Sequence, residues 1–206
     1  MIGPALVGFG TGFSLILAIG AQNAFVLRHG LMRQHVFWLC LFCASSDAIL
    51  IACGVAGFGA IVKAVPLFPL LMSIGGALFL IIYGISKLRA AFSGGERMEL
   101  SGEVTTLKST LLTAAAFTWL NPHVYVDTLG LIGAISTQYG DFLSKIYFGA
   151  AAVFASFVFF FGLGYGARLL APIMQSAKAW RRLDFLIGCV MLWIAAGLLH
   201  HAYGLL

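Results

Sequence analysis

The chain has 206 residues, of which 61% are hydrophobic and only 9% are charged, and its formal net charge is +5. Soluble globular domains carry about 25% charged residues, so this composition excludes a soluble globular protein and makes lipid the expected solvent. The apolar runs are long and continuous, which indicates membrane-spanning helices rather than the short alternating strands of a transmembrane barrel.

Six apolar stretches are long enough to cross a bilayer as helices, which takes about 20 residues each. The first is not expected to be a cleavable signal, because no basic residue precedes its apolar run. The fold class predicted is an all-α integral membrane protein with six transmembrane helices. The predicted spans are 3–27, 35–62, 67–87, 108–134, 143–168 and 182–203.

A hydrophilic stretch at 88–107 separates two halves of three spans each. We predict a single membrane domain over 1–206, with one three-helix repeat in 1–92, a cytoplasmic linker in 93–107 and a second repeat in 108–206. Because each half has an odd number of spans, the second would insert upside down, as in the inverted repeats of many secondary transporters. A plain six-helix channel would also have three spans in each half.

Ten of the twelve basic residues fall in the connections that share one side of the membrane. Basic residues mark the cytoplasmic side, so both termini are expected to be extracytoplasmic. This distribution accounts for the positive net charge without a nucleic-acid partner. The ten residues are Arg28, Arg33, Lys87, Arg89, Arg97, Lys108, Arg168, Lys178, Arg181 and Arg182.

The first span carries two adjacent amides, Gln22 and Asn23, which are costly in lipid unless they form hydrogen bonds across helices. Gly20 lies just before them and is a weak point at which the helix could break. The pair Gly8 and Gly12 has the spacing that lets two helix backbones approach closely.

The second span carries Asp47 about 20 Å from its cytoplasmic start, close to the middle of the membrane. A carboxylate at that depth costs several kcal/mol, so it is expected to face a cavity or a partner. Cys40 and Cys43 share its helical face, which is compatible with a soft-metal site, a redox pair or simple apolar filling. All four cysteines lie within predicted spans, so no extracytoplasmic disulfide framework is expected.

The fourth span contains Pro122, which has no amide hydrogen and clashes with the carbonyl of Thr118 one turn earlier. Asn121 precedes the proline and is therefore pushed toward extended geometry. A break here would present free carbonyls and amides to a cavity, although a simple proline kink packed against neighbouring helices fits the same residues.

This span is also unusually polar. His123 and Asp127 are four residues apart, and Asp127 is the second carboxylate predicted to lie deep in the membrane. One carboxylate in each half of the chain indicates a polar pathway for a cation or a proton. At helical spacing, one face is shared by Thr118, Asn121, Tyr125 and Thr128.

These motifs resemble those of the LysE/ArgO family of basic amino acid exporters, within the wider lysine-exporter superfamily. The resemblance is carried by residues 20–30, by Ser46-Asp47 and above all by the long polar string at 118–128, and it covers essentially the whole chain. Ala21 stands where family members typically have a proline. The fourth span is therefore the better-supported break, and the first could bend at Gly20 alone or hardly at all.

The resemblance implies export of L-lysine or L-arginine from the bacterial cytoplasm through the inner membrane, in exchange for protons. Asp47 and Asp127 would then take the cationic side chain. The substrate's ammonium would use freed carbonyls near Thr118, and its carboxylate the amides of a half-helix beginning after Asn121. Asp47 is the first candidate for proton coupling because of its depth.

Two other functions stay open at this point. Relatives in the superfamily handle a neutral amino acid such as homoserine or a divalent cation such as cadmium, for which Cys40, Cys43 and Asp47 would be ligands. A membrane thiol–disulfide carrier would need a reactive cysteine pair. No soluble-enzyme signature is present, and no cofactor is expected. Glycines at 8–12 and 162–166 leave room for close helix contacts within one subunit or in a homo-oligomer.

Overall fold

The computed structural model describes residues 2–17, 20–57, 67–92, 105–173 and 176–204. Within these ranges the chain is helical and contains no strand. A π-helix (Tyr125–Ile132) joins two of the short helices, and a 3-10 turn (Ala167–Leu170) follows the penultimate helix. The helices are α1 (Ile2–Leu17), α2 (Ala21–Met32), α3 (Val36–Val55), α4 (Leu67–Phe92), α5 (Leu107–Trp119), α6 (Pro122–Val124), α7 (Gly133–Ser136), α8 (Phe142–Gly166) and α9 (Ala177–Tyr203).

Four of the described helices are continuous, long and apolar enough to cross a membrane. They coincide with the second, third, fifth and sixth predicted spans. α1 and α2 make a fifth if the bent pair is counted as one span, and the fourth predicted span is divided into shorter helices. The end of the second predicted span (58–62) and residues 93–104 of the predicted linker lie outside the described residues.

The first predicted span is broken rather than gently bent. α1 ends at Leu17, α2 begins at Ala21, and the two helices meet at an angle of 81°. Gly20 precedes α2 with an extended backbone (φ −114°, ψ 171°). The expectation that the fourth span would hold the better-supported break was therefore too cautious, because the first span is interrupted without any proline.

The fourth predicted span is broken where Pro122 predicts it. α5 ends at Trp119, and Asn121 is extended (φ −96°, ψ 109°), as expected for a residue before proline. The hydroxyl of Tyr125 donates to the carbonyl of Trp119 at 2.8 Å, which satisfies one backbone group at the end of α5. Thr118 therefore lies on a different helix from Tyr125, so the shared polar face predicted for a continuous helix is wrong.

Glycines allow the closest helix contacts. A Cβ at Gly12 would lie 3.0 Å from the backbone of Ala152, so α1 and α8 pack backbone to backbone, and Gly8 meets the carbonyl of Phe148 in the same way. The close approach predicted from the Gly8 and Gly12 spacing is thus made within this chain. The other main packing partners are α4 with α9, α3 with α8, and α3 with the π-helix.

An aromatic cluster fills the space between α2, α4 and α5. The ring of Phe117 lies 5.2 Å from Phe25, 4.9 Å from Phe79 and 5.1 Å from Tyr83, measured between ring centroids. The ring of His29 packs against Phe25 in a tilted arrangement, with 4.2 Å between ring centroids. These ring contacts hold α2, α4 and α5 against one another.

Candidate functional site

Asp47 lies inside the bundle on α3 and is only 8% exposed. The hydroxyl of Ser156, on α8, donates to Asp47 Oδ2 at 3.0 Å. Its surroundings are therefore those expected from the sequence for a carboxylate that faces a partner rather than lipid. Ser156 itself was missed by sequence reasoning, because nothing in an apolar span marks one serine as the partner of a carboxylate on another helix.

The two cysteines near Asp47 are packed as apolar side chains. The Cys40 thiol donates to the carbonyl of Phe160 at 3.1 Å, and both Cys40 and Cys43 are fully buried. All four cysteines are free. Across the described ranges, no three or more His, Cys, Asp or Glu side chains come together as a metal site would require. The geometry thus gives no support to the metal-ligand or dithiol interpretation.

At the start of α2, the Gln22 side-chain amide nitrogen lacks a hydrogen-bond partner among the described residues, and Gly20 provides no side-chain cap. Gln22 Nε2 is buried, and the Gln22 side chain lies beside the Cys43 thiol. Asn23 instead reaches back across the break, and its Nδ2 donates to the carbonyl of Ile16 at 2.7 Å.

The start of α6 is already capped. Asn121 Oδ1 accepts from the amide of His123 at 3.1 Å, and Pro122 has no amide hydrogen to offer. On the other side of the break, the Thr118 hydroxyl donates to the carbonyl of Ala114 within α5 at 3.0 Å. A ligand carboxylate would therefore have to displace Asn121, whereas Gly20, the residue before α2, has no side chain that could cap that helix.

Asp127 lies on the π-helix and is half-buried, and His123 near it is exposed. The two side chains interact electrostatically, as their spacing predicts. Asp127 and Asp47 do not share a hydrogen-bond partner among the described residues. α3 nevertheless packs tightly on the π-helix, where a Cβ at Gly54 would lie 2.8 Å from the carbonyl of Thr128.

A small cavity marks the place where the two broken spans meet. Its volume is about 10 Å³, enough for roughly one water molecule and far too small for an amino acid. Ala21, the first residue of α2, and Asn121, the cap of α6, both line it. Phe79 and Phe117 of the aromatic cluster form part of its wall. The two helix breaks predicted from the sequence therefore come together, in a closed arrangement.

A buried ion pair joins α2 to α9 and was not predicted. Arg28 Nε lies 3.1 Å from Asp184 Oδ1, and Asp184 is fully buried. The sequence places Arg28 in a connecting loop and assigns no role to Asp184, near the start of the sixth predicted span. The loop placement of Arg28 is wrong, because α2 continues to Met32; Asp184 lies seven residues into α9, which begins at Ala177.

A chain of polar side chains extends from α2 toward the start of α5. His29 is 2% exposed, and its Nε2 lies 3.5 Å from the hydroxyl of Thr110. That hydroxyl is 3.2 Å from the hydroxyl of Thr105, which donates to Gln34 Oε1 at 3.2 Å. This chain ties the second half of the first span to the first half of the fourth.

Comparison with known proteins gives consistent matches over nearly the whole chain. The family model of the LysE type translocators matches residues 13–202. The arginine exporter protein ArgO of Escherichia coli K12 is 39% identical over 190 residues, which cover 91% of this chain and 89% of that protein. ArgO of Salmonella enteritidis PT4 is 38% identical over 199 residues, with 95% and 92% covered. A protein of Aeromonas salmonicida named as an amino-acid transporter, YggA, is 39% identical over 196 residues, with 95% of each chain covered. No solved structure matches the chain.

Proposed function

This chain belongs to the LysE type translocator family, and from that premise we propose that it exports basic amino acids, arginine foremost and also lysine, from the bacterial cytoplasm in exchange for protons. The observation that carries the proposal is Asp47, a buried carboxylate in a continuous membrane-spanning helix, hydrogen-bonded to Ser156. An intramembrane carboxylate of this kind is typical of ion and proton pathways.

Exchange for a proton solves an energetic difficulty of exporting a cation. Moving one positive charge outward against an inside-negative potential costs about 2.3 kcal/mol per 100 mV. Without coupling, the internal pool would have to exceed the external one by roughly 50-fold at that voltage. One proton moving inward for each substrate cancels the charge movement. A carboxylate that binds either a proton or the substrate's cation would couple the two, and Asp47 is our candidate for this role because it is buried in a spanning helix.

Asp127 is the second carboxylate of the proposed pathway. Its half-buried position on the π-helix, beside His123, suits a group that meets the substrate after Asp47. π-helical turns within α-helices are frequent at functional sites, because the extra residue disturbs the regular pattern of backbone hydrogen bonds. Transfer from Asp47 to Asp127 would carry the cation from the middle of the membrane toward the outer side.

We propose that the substrate's carboxylate binds at the start of α2. Gly20 leaves the first amides of this helix without a side-chain cap, the helix dipole favours an anion there, and the Gln22 amide nitrogen is buried without a partner among the described residues. The start of α6, which we first expected to play this part, already has its amide capped by Asn121. The substrate's ammonium would use carbonyls near Thr118, at the end of α5, where Pro122 has no amide hydrogen to donate.

The packing supports the proposed inverted repeat. The first span of each half is broken, at Gly20 and at Asn121, and the third spans of the two halves cross through a pair of glycines. A Cβ at Gly84 would lie 3.2 Å from the carbonyl of Gly188, and a Cβ at Gly188 would lie 3.0 Å from the carbonyl of Gly84. Such reciprocal contacts are expected at a pseudo-twofold axis in the membrane plane, with both termini extracytoplasmic.

Efflux from preloaded cells tests the proposed substrates. Cells with and without the protein are loaded with labelled arginine, lysine or homoserine, and loss of label is followed at two external pH values. We expect faster loss of arginine and lysine, but not homoserine, and collapse of the difference when a protonophore is added. Accelerated homoserine loss, or no acceleration in cells whose membranes contain the protein, would contradict basic amino acid export.

A further inference from the structure

The buried ion pair between α2 and α9 has no role in the function proposed above. Arg28 donates from Nε to Asp184 Oδ1 at 3.1 Å, and the two side chains are 10% and 0% exposed. Asp184 Oδ2 is also buried, and it has no hydrogen-bond partner in the described ranges. On the Arg28 side, Nη1 points at Met32 Sδ at 3.0 Å, and a thioether is a weak acceptor. The pair is therefore joined by one charged hydrogen bond, and the second oxygen of Asp184 is left without a donor among the described residues.

Stability does not account for such a pair. Removing two charges from water costs free energy that their attraction repays only when the remaining donors and acceptors are also satisfied. Apolar side chains of similar volume would hold α2 against α9 at least as well. A buried carboxylate oxygen without a hydrogen-bond donor costs free energy, and an ionisable side chain inside a membrane protein is by default a candidate functional group.

We infer that Asp184 is a binding carboxylate for the cationic side chain of a basic amino acid, and that Arg28 occupies it when no substrate is present. This inference rests on the proposed export of basic amino acids and adds an entry site to it. A free arginine presents a planar guanidinium fork that can bind both oxygens of Asp184 at once. Arg28 is bonded to only one of them, so substrate can displace it with a gain of one charged hydrogen bond.

The surroundings lead from Asp184 toward the helix breaks. Tyr83 interacts electrostatically with both members of the ion pair, and its ring packs edge-on against Phe117 at 5.1 Å. Phe117 in turn lines the small cavity between the two breaks. Along α2, Arg28 lies about 12 Å from Gly20, since each residue of an α-helix advances the chain by about 1.5 Å. Aromatic faces attract cations, so this wall suits the passage of a guanidinium or ammonium group.

Displacement of Arg28 also frees α2 from its only salt bridge to α9 among the described residues. The cavity at the breaks is too small for an amino acid, so the helices that line it, α2 among them, have to move apart before substrate can pass. Substrate bound at Asp184 would thus remove the contact that holds the entry closed. The ion pair lies at the end of the bundle where the basic residues cluster, which is the side predicted to face the cytoplasm.

The test compares arginine with citrulline, a neutral analogue of nearly the same shape, in binding assays on the purified full-length protein in lipid nanodiscs. In Arg28→Gln the competing cation is removed, and we expect arginine to bind more tightly than in the unaltered protein while citrulline binding is unchanged. Adding Asp184→Asn to that variant should weaken arginine binding roughly tenfold or more relative to Arg28→Gln alone, because a charged hydrogen bond is lost. The arginine-to-citrulline preference should fall by the same factor.

The apolar double variant Arg28→Met with Asp184→Leu covers the case in which a lone buried charge prevents folding. If the pair is only structural, this variant folds and keeps the preference for arginine over citrulline, which would overturn the inference. Weaker arginine binding in Arg28→Gln would overturn it as well. The unaltered protein separates the two proposals: no arginine binding there refutes the proposed function, whereas arginine binding with a preference insensitive to residue 184 refutes only this inference.

Discussion

The contact between α3 and the π-helix predicts a sharp difference between two glycine substitutions. In Gly54→Ala the added Cβ would lie 2.8 Å from the carbonyl oxygen of Thr128 and 3.1 Å from the Cα of Leu129. Backbone atoms cannot rotate away as a side chain can, so the two helices must move apart. Overpacking of this kind typically costs 1–3 kcal/mol, which for a chain of this length lowers the melting temperature by roughly 2–12 °C.

Gly75→Ala is the matched control, because a Cβ at Gly75, within α4, meets nothing within 4 Å. Alanine forms helices better than glycine by about 1 kcal/mol, so this variant should melt at the same temperature or slightly higher. The assay is thermal melting of both purified variants in one detergent, followed by the amount of protein that stays monodisperse. Equal melting temperatures for the two variants would refute the close contact between α3 and the π-helix.

Two further substitutions test single hydrogen bonds. Asn121→Ala removes the side chain that caps the His123 amide and should lower the unfolding free energy by about 1 kcal/mol. Asn121→Asp should not lower it, because aspartate caps a helix as well. An equal drop in melting temperature in both variants would contradict the capping role. Ser156→Ala leaves Asp47 without its buried donor, and should lower the unfolding free energy by about 1–3 kcal/mol and slow arginine efflux. Ser86→Ala is the control and should do neither, because Ser86 is exposed and bonded within its own helix. Unchanged efflux in Ser156→Ala would show that Asp47 does not depend on this hydrogen bond.

The sequence predicts features whose cause lies in neighbouring residues of the chain. The membrane spans could be predicted because each consists of about 20 consecutive apolar residues. The break in the fourth span could be predicted because Pro122 disrupts the helix in which it lies. The break at Gly20 was underestimated since glycine permits a break without requiring one. α2 and α3 are joined by a short turn in which Arg33 and His35 have positive φ (55° and 53°), which no sequence rule indicated for these residue types.

Contacts between distant segments were beyond reach of the sequence. Asp47 was correctly expected to be buried, but its partner on α8 is one serine in a long apolar helix. Arg28 and Asp184 each lie near the end of an apolar run, where a charge reads as a membrane-boundary residue. Only the packing of α2 against α9 shows that both are buried and face each other. Pairing across the bundle depends on tertiary packing, and a single sequence records nothing of it.

The central claim is that Asp47 couples the outward movement of substrate to the inward movement of a proton. The most direct measurement is arginine efflux from proteoliposomes loaded with labelled arginine, with and without an acidic external medium. Asp47→Asn is compared with Asp141→Asn, which alters an exposed aspartate before α8 and keeps its helix cap.

We expect external acid to accelerate efflux through the unaltered protein and through Asp141→Asn, and to have no effect on Asp47→Asn, although all three insert in equal amounts. Acid-accelerated efflux of normal size through Asp47→Asn would contradict the account.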